Sequence, residues 1–188
     1  MGQKHDGRRI SSPSIKTKNK KNQTSKNKIQ KALEKKATLK CSQIINLLKN
    51  HDQFIGCFAS DRLDKLVIQQ LPVFLLVNVD SHSSGGSHWI ALGIFSDIIE
   101  IFDPLGFKFY NWKTVPCLLL KFIHAQSTNR KIKSARQIQP NESILCTYYC
   151  LIYVYLRKKV PFDTIISFFS KKIDKNDKKL EFIIKKYF

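Results

Sequence analysis

Residues 85–106 read GGSHWIALGIFSDIIEIFDPLG, and this stretch decides the fold because it contains two apolar, strand-forming runs. The first run extends from His88 to Phe95 and the second from Ile98 to Asp103. Pro104 and Gly106 end the second run, as breakers of regular structure do. Because only two residues separate the runs, the segment favours two neighbouring antiparallel strands.

A third apolar run lies upstream, at residues 72–79 (PVFLLVNV), and predicts a buried strand. A turn-rich stretch, DSHSSGGS at residues 80–87, separates it from the strand that starts at His88. The links among the three runs are short, which favours an antiparallel meander. Nearer the amino terminus, residues 41–48 have apolar side chains at 44, 45, 47 and 48, which is a helical pattern.

Helices are expected to follow the strands. Residues 146–156 (CTYYCLIYVYL) are apolar on every side, which is typical of a buried central helix. Strands that come first and helices that come later indicate an α+β fold, with a central, mostly antiparallel sheet flanked by helices. The predicted late helices cover residues 112–124, 146–156, 161–169 and 174–186.

The 188-residue chain carries a formal net charge of +19, and this charge is unevenly distributed. Residues 1–40 contain 13 Lys and Arg against 2 Asp and Glu, so +11 of the total lies there. Most of these residues are polar, and such a segment cannot bury enough apolar surface to offset the entropy of ordering. We therefore predict a basic, disordered arm over residues 1–40 and one folded domain over residues 41–188.

A basic excess of this size predicts an acidic partner. Nucleic acid, here DNA, is the usual one, because Lys and Arg release counterions when they bind phosphate. The run Lys18–Asn19–Lys20–Lys21 fits a nuclear-import or DNA-contact patch as well as a solvated tail. The sequence has neither a run of about 18 apolar residues nor the apolar region of a signal peptide at its start. We expect no membrane partner, no secretion and, without a coiled-coil pattern, a monomer.

The chain has five cysteines, and one of them is a candidate for a reactive thiol. Their odd number and irregular spacing argue against a disulfide framework and favour free thiols in a reducing compartment. Cys146 and Cys150 have the C-x3-C spacing of some zinc ligands, but no second Cys/His pair lies at a matching distance, so we predict no metal site. The cysteines are Cys41, Cys57, Cys117, Cys146 and Cys150.

Three residues could together activate a thiol nucleophile, which needs an imidazole to keep it ionised and a polar group to orient that imidazole. His88 begins one strand and Asp103 ends the next, so an antiparallel pairing brings them close. Cys146 begins an apolar helix, where the positive end of the helix dipole lowers the pKa of a thiol. Singly, each also fits a structural reading, as a strand-edge histidine, a turn aspartate and a small core residue.

Four segments, in the same order, resemble those of the adenovirus maturation proteases, the adenain-like cysteine endopeptidases. GGSHWIA at residues 85–91 resembles the G-G-x-H-W segment around that family's catalytic histidine, and FDPLGF at residues 102–107 resembles its F-[DE]-P-x-G-F. QPNESILC at residues 139–146 keeps the spacing from an oxyanion-hole glutamine to the nucleophile. FIGCFASD at residues 54–61 resembles an upstream F-x-G-x-[FY] segment. In detail the segments are most similar to proteases of Polinton-like and adintovirus-like elements.

The resemblance implies a permuted papain-like cysteine protease core, in which His88 deprotonates Cys146 and Asp103 orients His88. It also implies that the Gln139 side chain and the backbone N–H of Cys146 bind the oxyanion, and that Trp89 forms a wall of the site. We expect no cofactor, although the basic charge is compatible with DNA as an activator. No residue matches the cysteine through which the adenovirus enzyme's activating peptide is attached, so the sequence does not support peptide activation.

Two features depart from the family's pattern. Thr147 follows Cys146 where the family usually has glycine, and a β-branched side chain there would crowd the turn behind the oxyanion hole. Pro140–Asn141 lies one place nearer the glutamine than in the adenovirus pattern. Gln137 is therefore an alternative to Gln139 for the oxyanion role.

The resemblance implies an endopeptidase of a virus or virus-like element that cleaves capsid and other virion precursors during maturation. The basic charge suggests that it acts while bound to DNA, in the virion and the host nucleus. One alternative is a protease of ubiquitin-like modifiers (SUMO type), since such enzymes share the fold and triad. Another is an inactive, basic DNA-binding homologue, which Thr147 suggests. A Cys146 thiol no more reactive than Cys41 or Cys57 would favour the inactive homologue.

Overall fold

A computed structural model describes residues 38–106 and 116–187 of the chain. Several predictions lie outside the described residues: most of the basic arm, the Lys18–Lys21 patch, Phe107 of the FDPLGF segment and the start of the helix expected at residues 112–124. The first described helix begins at Cys41. The boundary between arm and domain at residue 40 stays a prediction.

Five strands form one sheet, and their order from edge to edge is their order in the chain. They are β1 (Phe54–Ala59), β2 (Val73–Asn78), β3 (Trp89–Ile94), β4 (Ile98–Phe102) and β5 (Lys131–Ser134). The strands β2, β3 and β4 pair antiparallel, which confirms the predicted meander. β1 pairs parallel to β2, and β5 pairs parallel to β4, so the sheet as a whole is mixed.

The two parallel pairings are the part of the sheet that the sequence pattern did not indicate. Strands paired in parallel need a crossover connection, because the chain must return to the end at which the first strand began. A 3₁₀-helix, Ser60–Lys65, lies in the connection from β1 to β2, and an α-helix lies in the connection from β4 to β5. The sheet that we expected to be mostly antiparallel is therefore antiparallel at its centre and parallel at both edges.

Helices flank the sheet and complete the predicted α+β class. Within the described residues they are α1 (Cys41–Leu48), α2 (Cys117–Ser127), α3 (Cys146–Arg157), α4 (Phe162–Ser167) and α5 (Asn176–Tyr187), with a second 3₁₀-helix at Ile173–Lys175. Each α-helix overlaps a segment that was predicted to be helical. None of these described helices has the length and apolar character needed to span a membrane.

Side chains of β2 alternate between two apolar clusters, one on each face of the sheet, as the two-residue period of a strand requires. Phe74 and Leu76 belong to the cluster that includes α3. Val73, Leu75 and Val77 belong to the cluster that includes α2. The uninterrupted apolar run that predicted this strand therefore reflects burial on both faces.

Helix α3 lies across the sheet and is buried on nearly every side, as its apolar sequence predicted. Its approach to β3 requires glycine at position 93, because a Cβ atom there would lie 2.2 Å from the hydroxyl oxygen of Tyr153. One turn into the helix, the Cys150 thiol donates a hydrogen bond to the carbonyl of Trp89, at 3.3 Å. The N-terminal end of α3, which starts at Cys146, therefore lies over the start of β3.

A buried ionic cluster joins the other end of α3 to β4. Glu100, on β4, is 2% exposed. Its carboxylate accepts two hydrogen bonds from Arg157, at 2.7 and 2.9 Å, and one from the hydroxyl of Tyr153, at 2.8 Å. Two donors on one guanidinium that bind both oxygens of a carboxylate form a strong, geometrically specific pair. The charge of Glu100 is thus compensated inside the core.

Replacing Arg157 by methionine is expected to lower the free energy of unfolding by about 3–5 kcal/mol, because the Glu100 carboxylate would stay buried without its counter-charge. Urea denaturation followed by circular dichroism measures the loss. The double variant with Glu100→Gln is expected to recover most of it, since both charges are then removed. A single variant within about 0.5 kcal/mol of the wild type would contradict this prediction.

Candidate active site

The structure brings His88 and Asp103 together at one end of the sheet. His88 directly precedes β3 and Asp103 directly follows β4, so the antiparallel pairing of these strands places both at the same end. Nε2 of His88 lies 2.7 Å from Oδ1 of Asp103. The Nε2–H group donates to the carboxylate, and Nδ1 is the ring nitrogen that remains for another partner.

Cys146, the first residue of α3, lies close enough to the His88 ring for the two groups to shift each other's pKa. Cys146 is only 4% exposed, and it lies at the helix terminus where the dipole favours a negative charge. The three residues that the sequence singled out, Cys146, His88 and Asp103, are therefore neighbours in the order thiol, imidazole, carboxylate.

The surroundings of Cys146 and His88 shift both pKa values toward the charged forms. Burial by itself would raise the pKa of the Cys146 thiol, but the His88 ring, the backbone N–H of Trp89 and the Thr147 hydroxyl together lower it. Burial by itself would lower the pKa of His88, but hydrogen bonds to Asp103 and Cys146, with their charges, raise it to about 9. Both shifts therefore favour the thiolate–imidazolium pair over the neutral pair.

The other cysteines lie in different environments. Burial raises the pKa of the Cys150 thiol well above its ordinary value. Burial, with the neighbouring Cys41 thiol, also raises the pKa of Cys57. Cys117 is exposed, and all five cysteines are free thiols. Of Cys57, Cys146 and Cys150, it is Cys146 whose thiol pKa is lowered.

The loop before His88 is held by polar contacts at its base. The Asp80 carboxylate accepts a hydrogen bond from the Ser87 N–H at 2.5 Å, and the Asn78 side-chain oxygen accepts one from the Asp80 N–H at 3.0 Å. Gly86 has a φ of +78°, and a Cβ atom there would lie 2.6 Å from the Asn78 side chain. The glycine of the resembling segment is therefore needed to bring the chain to His88.

The turn after β4 orients the Asp103 carboxylate. Oδ1 of Asp103, which accepts the hydrogen bond from His88, also accepts one from the backbone N–H of Leu105 at 2.9 Å. Two donors that converge on one oxygen determine which way the carboxylate faces. The ring of His88 is consequently held by a group that is itself fixed by the turn.

The same turn contacts the segment that leads to α3. The carbonyl of Pro104 accepts hydrogen bonds from the N–H groups of Ile138 and Gln139, at 2.9 and 2.8 Å. Gly106 has a φ of +81°, and a Cβ atom there would lie 2.7 Å from the backbone nitrogen of Gln137. The Pro104 carbonyl and the absence of a side chain at Gly106 therefore allow the close contact between the turn that contains Asp103 and the glutamine segment.

Of the two candidate glutamines, Gln139 is the more deeply buried, at 1% exposed. Its Nε2 donates one hydrogen bond, to the Ser143 carbonyl at 2.5 Å, and its Oε1 is buried without a partner among the described residues. Gln137 donates to the Gln139 carbonyl at 3.1 Å and to Asn141 Oδ1 at 2.7 Å. A primary amide has two N–H groups, so Gln137 has both engaged while Gln139 retains one.

Thr147 and Trp89 contact the Cys146 thiol in ways that the sequence did not indicate. The Thr147 side chain is fully buried, and its hydroxyl makes no hydrogen bond of ordinary geometry to a described residue. It lies close enough to Cys146 to lower the thiol pKa. Trp89 contributes its backbone N–H as well as a half-buried ring that packs against the α3 cluster.

In residues 38–106 and 116–187, no group of three or more His, Cys, Asp or Glu could hold a metal ion.

Comparisons with known proteins identify a family and a fold. The model of a family described as adenovirus endoprotease matches residues 54–174. A crystal structure of the ASFV pS273R protease is similar at 15% identity and a TM-score of 0.55, covering 79% of this chain and 67% of that one. Its selenomethionine form is similar at 14% identity and 0.53, covering 81% and 68%. Such identities show likeness of fold, here the predicted cysteine-protease fold. No curated protein matches the chain significantly.

Proposed function

Because this chain belongs to the adenovirus endoprotease family, we propose that it is a cysteine endopeptidase in which Cys146 is the nucleophile. His88 would act as general base and acid, and Asp103 would orient His88. One observation carries this proposal: Nε2 of His88 contacts the Asp103 carboxylate, and the Cys146 thiol at the start of α3 lies close enough to the same ring for each to shift the other's pKa. A thiol between an imidazole and a helix N-terminus is suited to nucleophilic attack.

The reaction proceeds in two steps. In the first, the Cys146 thiolate attacks the peptide carbonyl carbon, and the resulting tetrahedral oxyanion collapses to a thioester while His88 gives its proton to the leaving amine. In the second, His88 takes a proton from water, the hydroxide attacks the thioester, and the peptide acid leaves as the thiolate is restored. Asp103 keeps Nε2 protonated throughout, so that Nδ1 exchanges the proton.

Gln139 is our candidate for the oxyanion hole, together with the backbone N–H of Cys146. Its unengaged amide N–H and its place between the Asp103 turn and the start of α3 support this role. A donor of this kind typically contributes about 3–4 kcal/mol to lowering the barrier. We also propose that the Trp89 ring forms a wall of the site and limits access of water.

The proposed substrates are capsid and other virion precursors, cleaved during maturation in the virion and host nucleus while the chain is bound to DNA. The family match and the net charge of +19 support this view. We propose DNA as a partner and activator, no metal or small-molecule cofactor, and action as a monomer that is not secreted.

The test is hydrolysis of fluorogenic peptides with glycine near the scissile bond by the full chain, with and without duplex DNA. Hydrolysis that duplex DNA accelerates, and that high salt slows in its presence, would support a DNA-bound protease. Cleavage of a ubiquitin-like fusion but of no capsid precursor would favour the SUMO-type alternative. Salt-sensitive DNA binding without hydrolysis would favour the inactive homologue. The observation that supports this alternative is Thr147, which follows Cys146 where the family usually has glycine.

The pH dependence of hydrolysis is expected to be bell-shaped. On the acidic side kcat/KM rises as Cys146 loses its proton. Because the pKa of Cys146 is lowered, this rise is expected at a pH below the ordinary pKa of a thiol. On the alkaline side it falls as the pH passes about 9, where His88 loses the proton that the leaving amine needs. Alkylation of Cys146 by iodoacetamide needs only the thiolate, so its rate should not fall there. An alkaline limb near 6.5, the ordinary value of histidine, would contradict this prediction.

A further inference from the structure

The first two residues of α5, Asn176 and Asp177, contact the segment that contains Gln139. This helix starts after residue 174, so it lies beyond the part of the chain that the family model matches. Neither residue stood out in the sequence, where an Asn–Asp pair at a helix start is an ordinary capping signal. In the structure, however, their side chains reach residues 138 to 149 rather than only their own helix.

Asp177 anchors the residues on the C-terminal side of Gln139. Its Oδ1 accepts hydrogen bonds from the Ser143 hydroxyl at 3.0 Å and from the Tyr149 hydroxyl at 2.8 Å. The Ser143 hydroxyl in turn accepts a hydrogen bond from the backbone N–H of Leu145 at 3.2 Å. The Ser143 carbonyl accepts one from Nε2 of Gln139 at 2.5 Å. A continuous set of contacts therefore connects Asp177 to the Gln139 side chain.

Asn176 anchors the residue on the N-terminal side of Gln139. It is fully buried, and its Nδ2 donates to the carbonyls of Ile138 at 2.8 Å and Ser170 at 2.9 Å. Its Oδ1 accepts the Ser170 N–H at 2.8 Å. Every hydrogen-bonding group of this side chain is engaged, as a rigid support requires.

The orientation of the Gln139 amide depends on this support. Its Oε1 is buried without a partner among the described residues. The hydrogen bond from Nε2 to the Ser143 carbonyl is therefore the described contact that distinguishes the two possible orientations of the amide group. If Ser143 moved, the amide could rotate by half a turn and present oxygen where an N–H is needed. An oxygen in that place would repel a developing oxyanion rather than stabilise it.

We propose that Asp177 and Asn176 are positioning residues, which hold the Gln139 amide in the orientation that donates a hydrogen bond to the oxyanion. This inference rests on the proposed function, because it assigns a role in the same reaction. Neither residue touches the reacting atoms. Their loss should therefore slow the chemical step, while formation of the thiolate at Cys146 and binding of the peptide are left unchanged.

The experiment compares Asp177→Ala, Asp177→Asn and Ser143→Ala in the full chain, with Asp174→Ala as the control. Asp174 is exposed and carries the same charge three residues away. The readouts are kcat, KM and the iodoacetamide alkylation rate of Cys146, with thermal unfolding to verify the fold. The alkylation rate reports the thiolate without any oxyanion, so a merely structural disturbance of the site would change it.

Asp177→Ala is expected to lower kcat by about 10- to 100-fold, as small misplacements of catalytic groups do. The KM and the alkylation rate should stay within about threefold of the wild type. The kcat of Ser143→Ala should fall by a similar factor, and the kcat of the double variant should fall no further than that of either single variant. Asp177→Asn should retain most activity, since an amide oxygen can accept from both hydroxyls.

Two results would overturn the inference, and neither is confused with failure of the proposed function. One is a folded Asp177→Ala chain with the kcat of the wild type. The other is a fall in kcat matched by an equal fall in alkylation. A wild-type chain that hydrolyses no peptide at all would instead contradict the proposed function, and with it the inference that rests on it.

Discussion

Replacing Cys146 by alanine is expected to abolish peptide hydrolysis, with kcat falling by about 10⁶-fold, as loss of the nucleophile does in other acyl-transfer proteases. Without the thiolate no thioester can form, and His88 has no nucleophile to serve. The measurement is turnover of a fluorogenic peptide, with circular dichroism to show that the variant is folded. Cys146 is buried at the start of α3, and alanine removes only its sulfur atom, so the fold should be retained.

Cys117→Ala is the matched control, because Cys117 begins α2 as Cys146 begins α3. Its thiol is exposed and has no imidazole hydrogen bond among the described contacts, so the variant should turn over like the wild type. If Cys146→Ala kept more than about 1% of the activity, the nucleophile would be another residue. Cys150 would be a poor substitute, since burial raises its pKa and its thiol donates to the Trp89 carbonyl.

The centre of the fold could be predicted because its signals are local. The runs at residues 72–79, 88–95 and 98–103 are apolar, close in sequence and separated by turn-forming residues, so their pairing follows from short links. The same reasoning placed His88 and Asp103 at one end of the sheet, and the structure has them 2.7 Å apart. Helix α3 was predictable for a related reason, since an all-apolar segment has to be buried.

The edges of the sheet could not be predicted in this way. β5 has four residues, Lys131–Ser134, and three of them are exposed, so its sequence contains no alternating or continuous apolar pattern. It forms a strand because the preceding crossover helix returns the chain to a free edge of β4. β1 was noticed only as a segment resembling a family motif, and its parallel pairing again depends on a connection of irregular structure.

The oxyanion site shows a second limit of the sequence. Spacing left Gln137 and Gln139 as alternatives, because two glutamines two residues apart are equivalent until their hydrogen bonds are known. The distinction comes from long-range contacts: the Pro104 carbonyl at one side and the Ser143 carbonyl at the other. The anchor residue Asp177 lies 38 positions further along the chain than Gln139, and no local pattern connects them.

Replacing Asp103 by alanine is expected to lower kcat by about 10⁴-fold, the loss seen when the histidine of a comparable triad is no longer held in the correct tautomer. In the structure Asp103 accepts the Nε2–H of His88, which leaves Nδ1 as the ring nitrogen available to Cys146. Without the carboxylate, the proton can occupy either nitrogen and the ring can turn away from the thiol. Steady-state hydrolysis of the same fluorogenic peptide measures the effect.

Asp103→Asn is expected to lose less activity than Asp103→Ala, and this difference tests the geometry. Oδ1 accepts from both Leu105 N–H and His88 Nε2–H, so an asparagine would place its oxygen there, because its NH₂ group would face two donors. The tautomer of His88 would be preserved while the charge that raises its pKa would be lost.

The alkaline limb of the Asp103→Asn profile should therefore move below the value of about 9 expected for the wild type, because the pKa of His88 is raised in part by the Asp103 charge. If the asparagine variant were as inactive as the alanine variant, the amide would be turned the wrong way and the Leu105 contact would not orient it. If its alkaline limb stayed at the wild-type pH, the carboxylate charge would not be what sustains the imidazolium. Retention of full activity by Asp103→Ala would show that Asp103 has no role in catalysis.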